Sequence, residues 1–570
     1  MKKPATLTIT FVFALSNCGT PESRPESTRE EAAWFTEITD QVGLDFRHAA
    51  GQRGDYHLAE IAGSGGALFD YDGDGDLDIY LIDGGSKSGG APNQMFRHDS
   101  DGGFTNVTDA SGLGDAGWGM GSALGDVDND GDLDLYVTNL GADSFYLNAG
   151  DGTFQALPAP AGLDEARWSS SACFFDYDRD GLLDLFVATY LDFDPDKECT
   201  DLAGRPDYCG PAAFRGLPDF LFRGGGDGTF VDVSDTVLVG RLANKALGVV
   251  CADFDGDART DVYVANDGEQ NQLWRNLGGS SGANGVTFED GALLRGAALN
   301  IFARPEASMG VAAGDVDGDL DLDLFMTHLN RETNTLYLNL GEAGFEDRTA
   351  ASGLGPAGLA YTGFGTGLFD ADLDGDLDLV VVNGGVSRAG LSTERTWQAE
   401  ETVPPLSRDY AEPNLFFEND GTGSFQDASA RSGRLAVAAE VSRGLLLGDL
   451  DSDGDLDVVL TNCGGPARLY RNDAPRKGHW LVVRAIDPTL HRDALGAMVE
   501  VRAGGRSHLR PVISAYSYFS AGEPTVHFGL GEVERIDGLT VVWPDGTREE
   551  FPGVDLDRRV EVRKGEGLGG

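Results

Sequence analysis

The sequence predicts an all-β chain: a seven-bladed β-propeller followed by a small antiparallel β-domain. Three observations carry that reading. A nine-residue acidic motif recurs seven times, each copy runs into a β-branched or aromatic strand, and the strand missing from the last repeat is found ahead of the first.

The motif is clearest at 70–78 (DYDGDGDLD), and the copies begin at Asp70, Asp126, Asp176, Asp253, Asp315, Asp370 and Asp449. Position 3 carries Asp72, Asp128, Asp178, Asp255, Asp317, Asp372 and Asp451. Position 5 carries Asp74, Asp130, Asp180, Asp257, Asp319, Asp374 and Asp453, and position 9 carries Asp78, Asp134, Asp184, Asp261, Asp323, Asp378 and Asp457. Asp76, Asp132, Asp376 and Asp455 at position 7 complete the candidate set. Carboxylates at alternating positions, with a glycine to turn the chain, suit a hard cation that takes six to eight oxygens. An EF-hand closes with a bidentate Glu at position 12, but here Leu81 and Val137 stand at that position in the first two copies. The loop is therefore shorter, and the segment after it (LDIYLID, LDLYVTN, LDLFVAT) reads as strand. One such loop reads equally well as a solvated Asp-rich turn. Seven in the same context point to Ca²⁺, up to seven ions in all. Ala258 and Leu320 replace the position-6 glycine in copies four and five. A Cβ is costly in a left-handed turn, so these two are expected to be the weakest sites.

Successive loops are about 50 to 80 residues apart, the signature of a repeat architecture. Each unit continues through a connector into an aromatic strand and a hairpin, as in 143–157, 218–234 and 334–349. Four strands per unit and seven units make a propeller. The seventh unit has its third strand at 467–473 but no following G-x-F strand. WFTEITDQVGLDF (34–46) supplies that pattern at the other end, and a ring closed this way leaves no open edge.

The balance of 43 basic against 94 acidic residues gives a net charge of -51, which argues against nucleic acid and anionic membrane surfaces as partners. Residues 1–18 read as an export signal, with Lys2 and Lys3 before an apolar run that ends at Cys18. They resemble a bacterial lipoprotein signal, which implies a lipid on Cys18 as the sole tie to a membrane; plain cleavage and secretion is the alternative. Residues 19–33 read as a polar tether. Cys199 and Cys209 share one polar loop, where a disulfide is favoured over a metal site. Cys173, Cys251 and Cys463 sit in or just after apolar strands and are expected as buried thiols.

Taken together, residues 34–475 resemble the FG-GAP/VCBS repeat propellers of integrin α-subunit heads. The resemblance implies calcium held by the Asp side chains at positions 1, 3, 5 and 9, with a backbone carbonyl from position 7. Residues 478–563 carry His479-Trp480-Leu481, Gly496-Ala497, His527 to Gly531 and Trp543-Pro544, and resemble the ASPIC/UnbV domain of cartilage-acidic-protein-like proteins. They depart from it at 513–522 (ISAYSYFSAG); residues 564–570 are a short tail.

No catalytic constellation stands out: the eight His are scattered, and there is neither a nucleophile elbow nor a phosphate loop. The reading is a module that binds an extracellular protein or glycan, with a propeller lyase or oxidoreductase acting on polysaccharide or sugar as the alternative. If the acidic loops join strands one and two of each blade, the other connectors emerge on the opposite face. Trp118, Trp168, Tyr361, Trp397 and Tyr410 all fall in those connectors, with Tyr190 and Tyr208, and are the candidate ligand-face aromatics. The competing role for any one of them is to plug a blade contact.

Overall fold

A computed structural model describes residues 32–52, 54–85, 90–158, 167–279, 285–388 and 396–569. The segment expected to be an export signal, with Cys18, lies outside the described residues.

Each acidic loop joins the first strand of a four-stranded antiparallel sheet to the second. In blade one the strands are Gly66–Phe69, Asp78–Leu81, Gln94–His98 and Phe104–Asn106. The first strands of the next five blades are Gly119–Gly125, Arg167–Phe175, Ala246–Ala252, Val311–Gly314 and Gly363–Phe369. Blade seven takes Ser442–Gly448, Asp457–Asn462 and Arg468–Asn472 from the end of the repeat region and Phe35–Glu37 from its beginning. Phe35 stands opposite Asn472 and Glu37 opposite Tyr470, so the sheet closes in register. The first two strands of a blade are buried on both faces, which is why they read as continuous apolar runs rather than alternating ones.

The glycines and alanines of the first strands let adjacent blades approach closely. In one such contact Cys173 of blade three meets Cys251 of blade four in a disulfide, with Cα atoms 6.6 Å apart. These two are therefore not the free thiols expected from their apolar strands; residues 78 apart in sequence are brought side by side only by the ring. Cys199 and Cys209 form a second disulfide within the long connector of blade three, and Cys463 is a buried free thiol.

The C-terminal domain has two sheets. One is centred on His479–Asp487, which pairs with Thr525–Gly531 and Arg558–Arg563; the other runs Arg506–Pro511, Met498–Ala503, Ile536–Val542, Arg548–Pro552. Val499, Val501, Phe528 and Trp543 are buried between them. One hairpin leaves this domain. Ala515–Tyr516 and Ser520–Gly522 run down the propeller axis, and Ser520–Gly522 pairs in parallel with Gly66–Phe69. Its tip bonds to several blades: Ser517 exchanges backbone hydrogen bonds with Val311, the Ser517 hydroxyl accepts from the Thr366 amide, and the Tyr516 hydroxyl accepts from the Leu447 amide. Tyr518 and Phe519 end in a buried cluster with Ile61, Met120, Trp168, Met309, Phe364 and Val441. A Cβ on Gly65 would lie 1.8 Å from the Phe519 carbonyl oxygen, so only glycine admits the plug there. The segment that departs from the ASPIC/UnbV pattern is thus the core of the ring.

Two outcomes are expected. Deleting residues 34–46 exposes the edge of blade seven and abolishes the cooperative melting transition, whereas deleting 20–31 leaves it in place. Phe519→Ala empties the centre of the plug and costs about 3–5 kcal/mol in a denaturant titration. Identical behaviour of the two truncations would remove the N-terminal strand from the ring.

Candidate metal centres

The seven loops share one geometry. The position-1 carboxylate folds back over the turn: Asp70 accepts from the amides of Gly73, Asp74 and Gly75 at 2.8–3.1 Å. The position-9 carboxylate reaches two segments. Asp78 accepts from the amide of Tyr71 in its own loop and from that of His98 at the end of strand three. Asp134, Asp184, Asp261, Asp323, Asp378 and Asp457 do the same in their own blades. The position-5 carboxylates cap the amide two residues on, as Asp74 does for Asp76.

Positions 1, 3 and 9 converge. In loops one to four one oxygen from each (Asp70, Asp72, Asp78 and their equivalents) lies within 4.8 Å of the other two. The position-3 side chain is the one left over. Oδ1 of Asp72, Asp128, Asp178, Asp255, Asp317 and Asp372 is buried and has no hydrogen-bond partner among the described residues. Three crowded carboxylates with an orphaned oxygen among them are what a divalent cation would satisfy, and all the donors are oxygen. Without an ion these acids resist ionisation. Burial, with the neighbouring carboxylates adding to it, pushes Asp78, Asp134, Asp323 and Asp370 up to about 8 and Asp126 to about 7.

The turn needs a left-handed residue at two positions, not one. Position 4 has positive φ in Gly73, Asn129, Arg179, Gly256, Gly318, Leu373 and Ser452, and position 6 has it in every copy too, Ala258 (66°) and Leu320 (72°) included. Copies four and five therefore exchange the glycine of position 6 for one at position 4 and keep the same backbone. What separates the loops is basic side chains. Arg275 pairs with Asp255, and Arg259 with Asp257, in loop four; Arg223 holds Asp178 and Asp180 in loop three. Among the described residues the position-3 acids of loops one, two and five make no such ion pair.

Sequence reasoning missed a further fastening. Five third strands end in Asn, and each Asn donates its side-chain amide to the position-2 carbonyl of the preceding blade's loop: Asn148 to Tyr71, Asn276 to Tyr177, Asn339 to Phe254, Asn419 to Val316 and Asn472 to Ala371, at 2.8–3.1 Å. The repeated YLN, WRN, YLN, FEN and YRN endings were its visible signal.

The C-terminal domain sits over this acidic end. Arg506 pairs with Asp376, Lys477 with Asp372 and Asp374, and Arg492 lies 3.9 Å from Asp176. His527 Nε2 is 2.8 Å from the Gly454 carbonyl oxygen, a structural contact. A cavity of about 320 Å³ remains between the domain and the blades, lined by Leu68, Leu368, Leu447, Trp480, Tyr516 and Arg510 among others.

On the opposite face the aromatics divide. Trp168 (0% exposed) and Tyr410 are fully buried, with Tyr190 and Tyr208 beside them, so they seal the channel rather than offer a surface; the plug tip draws them inward. Trp118, Tyr361 and Trp397 are half-buried, and the rings of the last two pack at a tilt of 47° with centroids 5.3 Å apart. Among the described residues, large apolar side chains of these connectors that face solvent include Leu202, Leu242, Ile301, Phe302, Leu359 and Leu406.

The model of the FG-GAP-like repeat matches residues 70–137, 126–187, 204–264, 253–326 and 315–381, together just over half of the chain. The chain belongs to the FG-GAP repeat family. An ASPIC and UnbV match covers 487–568 of this FG-GAP propeller protein. Cartilage acidic protein 1 of Xenopus tropicalis is 26% identical to it over 335 residues, 58% of this chain. That stretch is 38% of the frog protein, so the match spans well under half of the relative's length. Among solved structures, an Agrocybe aegerita lectin that recognises non-reducing terminal N-acetylglucosamine aligns at TM-score 0.38 and 14% identity, over 82% of this chain and 98% of its own. A Bacillus licheniformis rhamnogalacturonan lyase aligns at TM-score 0.35 and 13% identity, over 73% and 72%. At such values neither speaks to the chemistry of this FG-GAP protein.

The raised acids predict the pH response of the ion-free protein. An Asp whose folded pKa exceeds its unfolded value stabilises the fold at low pH and loses that contribution as pH rises through the folded value. Divalent-free protein should thus melt higher at about pH 5 than at about pH 9, the change falling between roughly 4 and 8. A flat or inverted profile in a differential scanning experiment would count against these clusters being ion-free carboxylates under strain.

Proposed function

We propose that this protein is an exported, calcium-stapled propeller that serves as an adhesion or ligand-binding module for an extracellular protein or glycan. The observation that carries the calcium part is the orphaned Oδ1 at position 3, repeated in six loops and, in loops one to four, within reach of two further carboxylates. Positions 1, 3 and 9 would hold the ion, and an all-oxygen donor set favours Ca²⁺ over softer metals. The two disulfides are consistent with an oxidising compartment.

The binding part is supported by the division of the two faces. The acidic end lies under the C-terminal domain, while the connector end carries Ile301, Phe302 (78% exposed), Leu202, Leu359 and Leu406, with the half-buried Trp118, Tyr361 and Trp397. Adjacent exposed apolar side chains such as Ile301 and Phe302 are what a contiguous interaction patch is built from, whereas single ones are ordinary surface.

Calcium should raise the melting temperature and chelator lower it, each ion adding about 2.7 kcal/mol at a hundredfold excess over its dissociation constant. Asp72→Asn and Asp128→Asn should reduce that gain more than Asp255→Asn, because Arg275 already occupies Asp255. An unchanged melting curve in chelator would sink the calcium reading. For the ligand, a glycan and protein array probed with native protein and with an Ile301→Asp, Phe302→Asp double variant should yield binders that the variant loses at equal stability. New reducing ends or unsaturated sugars on an array hit would replace binding by catalysis.

A further inference from the structure

Among the described residues, a cluster of ligating side chains also lies outside the acidic loops. Asp55, His57 and Glu60 bring a carboxylate oxygen, an imidazole nitrogen and a second carboxylate oxygen within 4.8 Å of one another. They sit just before and within the short helix Leu58–Ala62, which leads into the first strand of blade one from the end opposite its acidic loop.

The helix is pinned from below. Buried Arg443 donates to the Ile61 carbonyl, the Tyr518 hydroxyl donates to that of Ala62, and the Cys463 thiol donates to that of Glu60 at 3.0 Å. The chain bends sharply at Tyr56, whose φ of 57° is unusual for a bulky residue.

Glu60 is the informative member. It is 3% exposed, yet its Oε2 has no hydrogen-bond partner among the described residues. A buried carboxylate oxygen left unpaired is costly, and a second acid, Asp55, stands close enough to raise that cost. Burial first, and the Asp55 charge second, push Glu60 up to about 7. The plain alternative is a Glu60 that simply stays protonated beside two surface groups. It leaves the convergence of the imidazole and Asp55 on this acid without a role. A cation answers both features, neutralising the two acids and using the ring nitrogen.

We propose that Asp55, His57 and Glu60 form a binding site for a divalent transition ion of the zinc type, on the face opposite the calcium loops. The imidazole decides the class of metal, since nitrogen donors suit Zn²⁺ and its neighbours whereas Ca²⁺ takes oxygen. Three protein ligands leave at least one coordination position for an outside donor. Because Asp55 is exposed, that position opens to solvent, where a water, carboxylate or hydroxyl group can complete the shell. The site stands independently of the ligand proposed above.

The test is a titration of Zn²⁺ into the whole protein held in saturating Ca²⁺, so that the acidic loops are already filled, with Co²⁺ as a visible-absorbing substitute. One equivalent of Zn²⁺ should bind. His57→Ala and Asp55→Asn should each weaken it at least about tenfold, 1.4 kcal/mol, with the calcium-dependent melting curve unchanged. No uptake above calcium saturation, or equal uptake by native protein and both variants, would overturn the site and reassign any zinc to the acidic loops. Should His57→Ala fail to fold, the exposed Asp55→Asn still decides the question.

Discussion

One carboxylate per blade, the last Asp of each acidic loop, holds the acidic end of the propeller together. Its two oxygens accept from the second residue of the loop and from the end of strand three, so loop and outer strands are fixed to a common point. In five blades the residue that donates from strand three is an Asn, whose side chain then ties to the preceding blade. Radial and circumferential fastening thus meet at one side chain. The cost is a ring of buried charge. The same loops place two more carboxylates beside it, an all-oxygen set of the kind a hard cation takes.

The axis is organised differently. Seven first strands cannot meet at a point, and the space between them is filled by the hairpin from the C-terminal domain. Beneath its tip the guanidinium of Arg443, fully buried, donates to the carbonyls of Ile61, Gly384, Gly385 and Ser442 and lies over the Phe364 ring at 3.7 Å. A charge with carbonyl partners on separate blades orients them relative to one another, which apolar contact alone does not.

Much of this was legible in the sequence, and the rest was hidden for physical reasons. The acidic motif, the strand after it and the complementary ends of the repeat are local patterns, and they translate directly into blades and closure. Contacts across blades leave no local trace. The Cys173–Cys251 bridge depends on the register of two sheets, and an aromatic beside a loop, such as Trp168 or Tyr410, has the same sequence signature whether it faces water or the axis. The plug was hidden because ISAYSYFSAG, though it departs from the family pattern, carries no local mark of the partner it packs against. Position 4 of the loops escaped notice since Arg, Leu and Ser stand there in three copies, residues that do not advertise a left-handed backbone.

The hairpin on the axis also constrains when the ring can be finished. Residues 35–37 are made first, yet their partner strand is 468–472, and the filler of the channel is not made until residue 522. A chain emerging from its N-terminus can form individual blades early, but each shows an unfilled inner edge until nearly the whole sequence is available. The long interval favours whatever holds single blades intact in the meantime, and fastenings internal to a blade, such as the loop carboxylates, are the ones that can act before the ring exists.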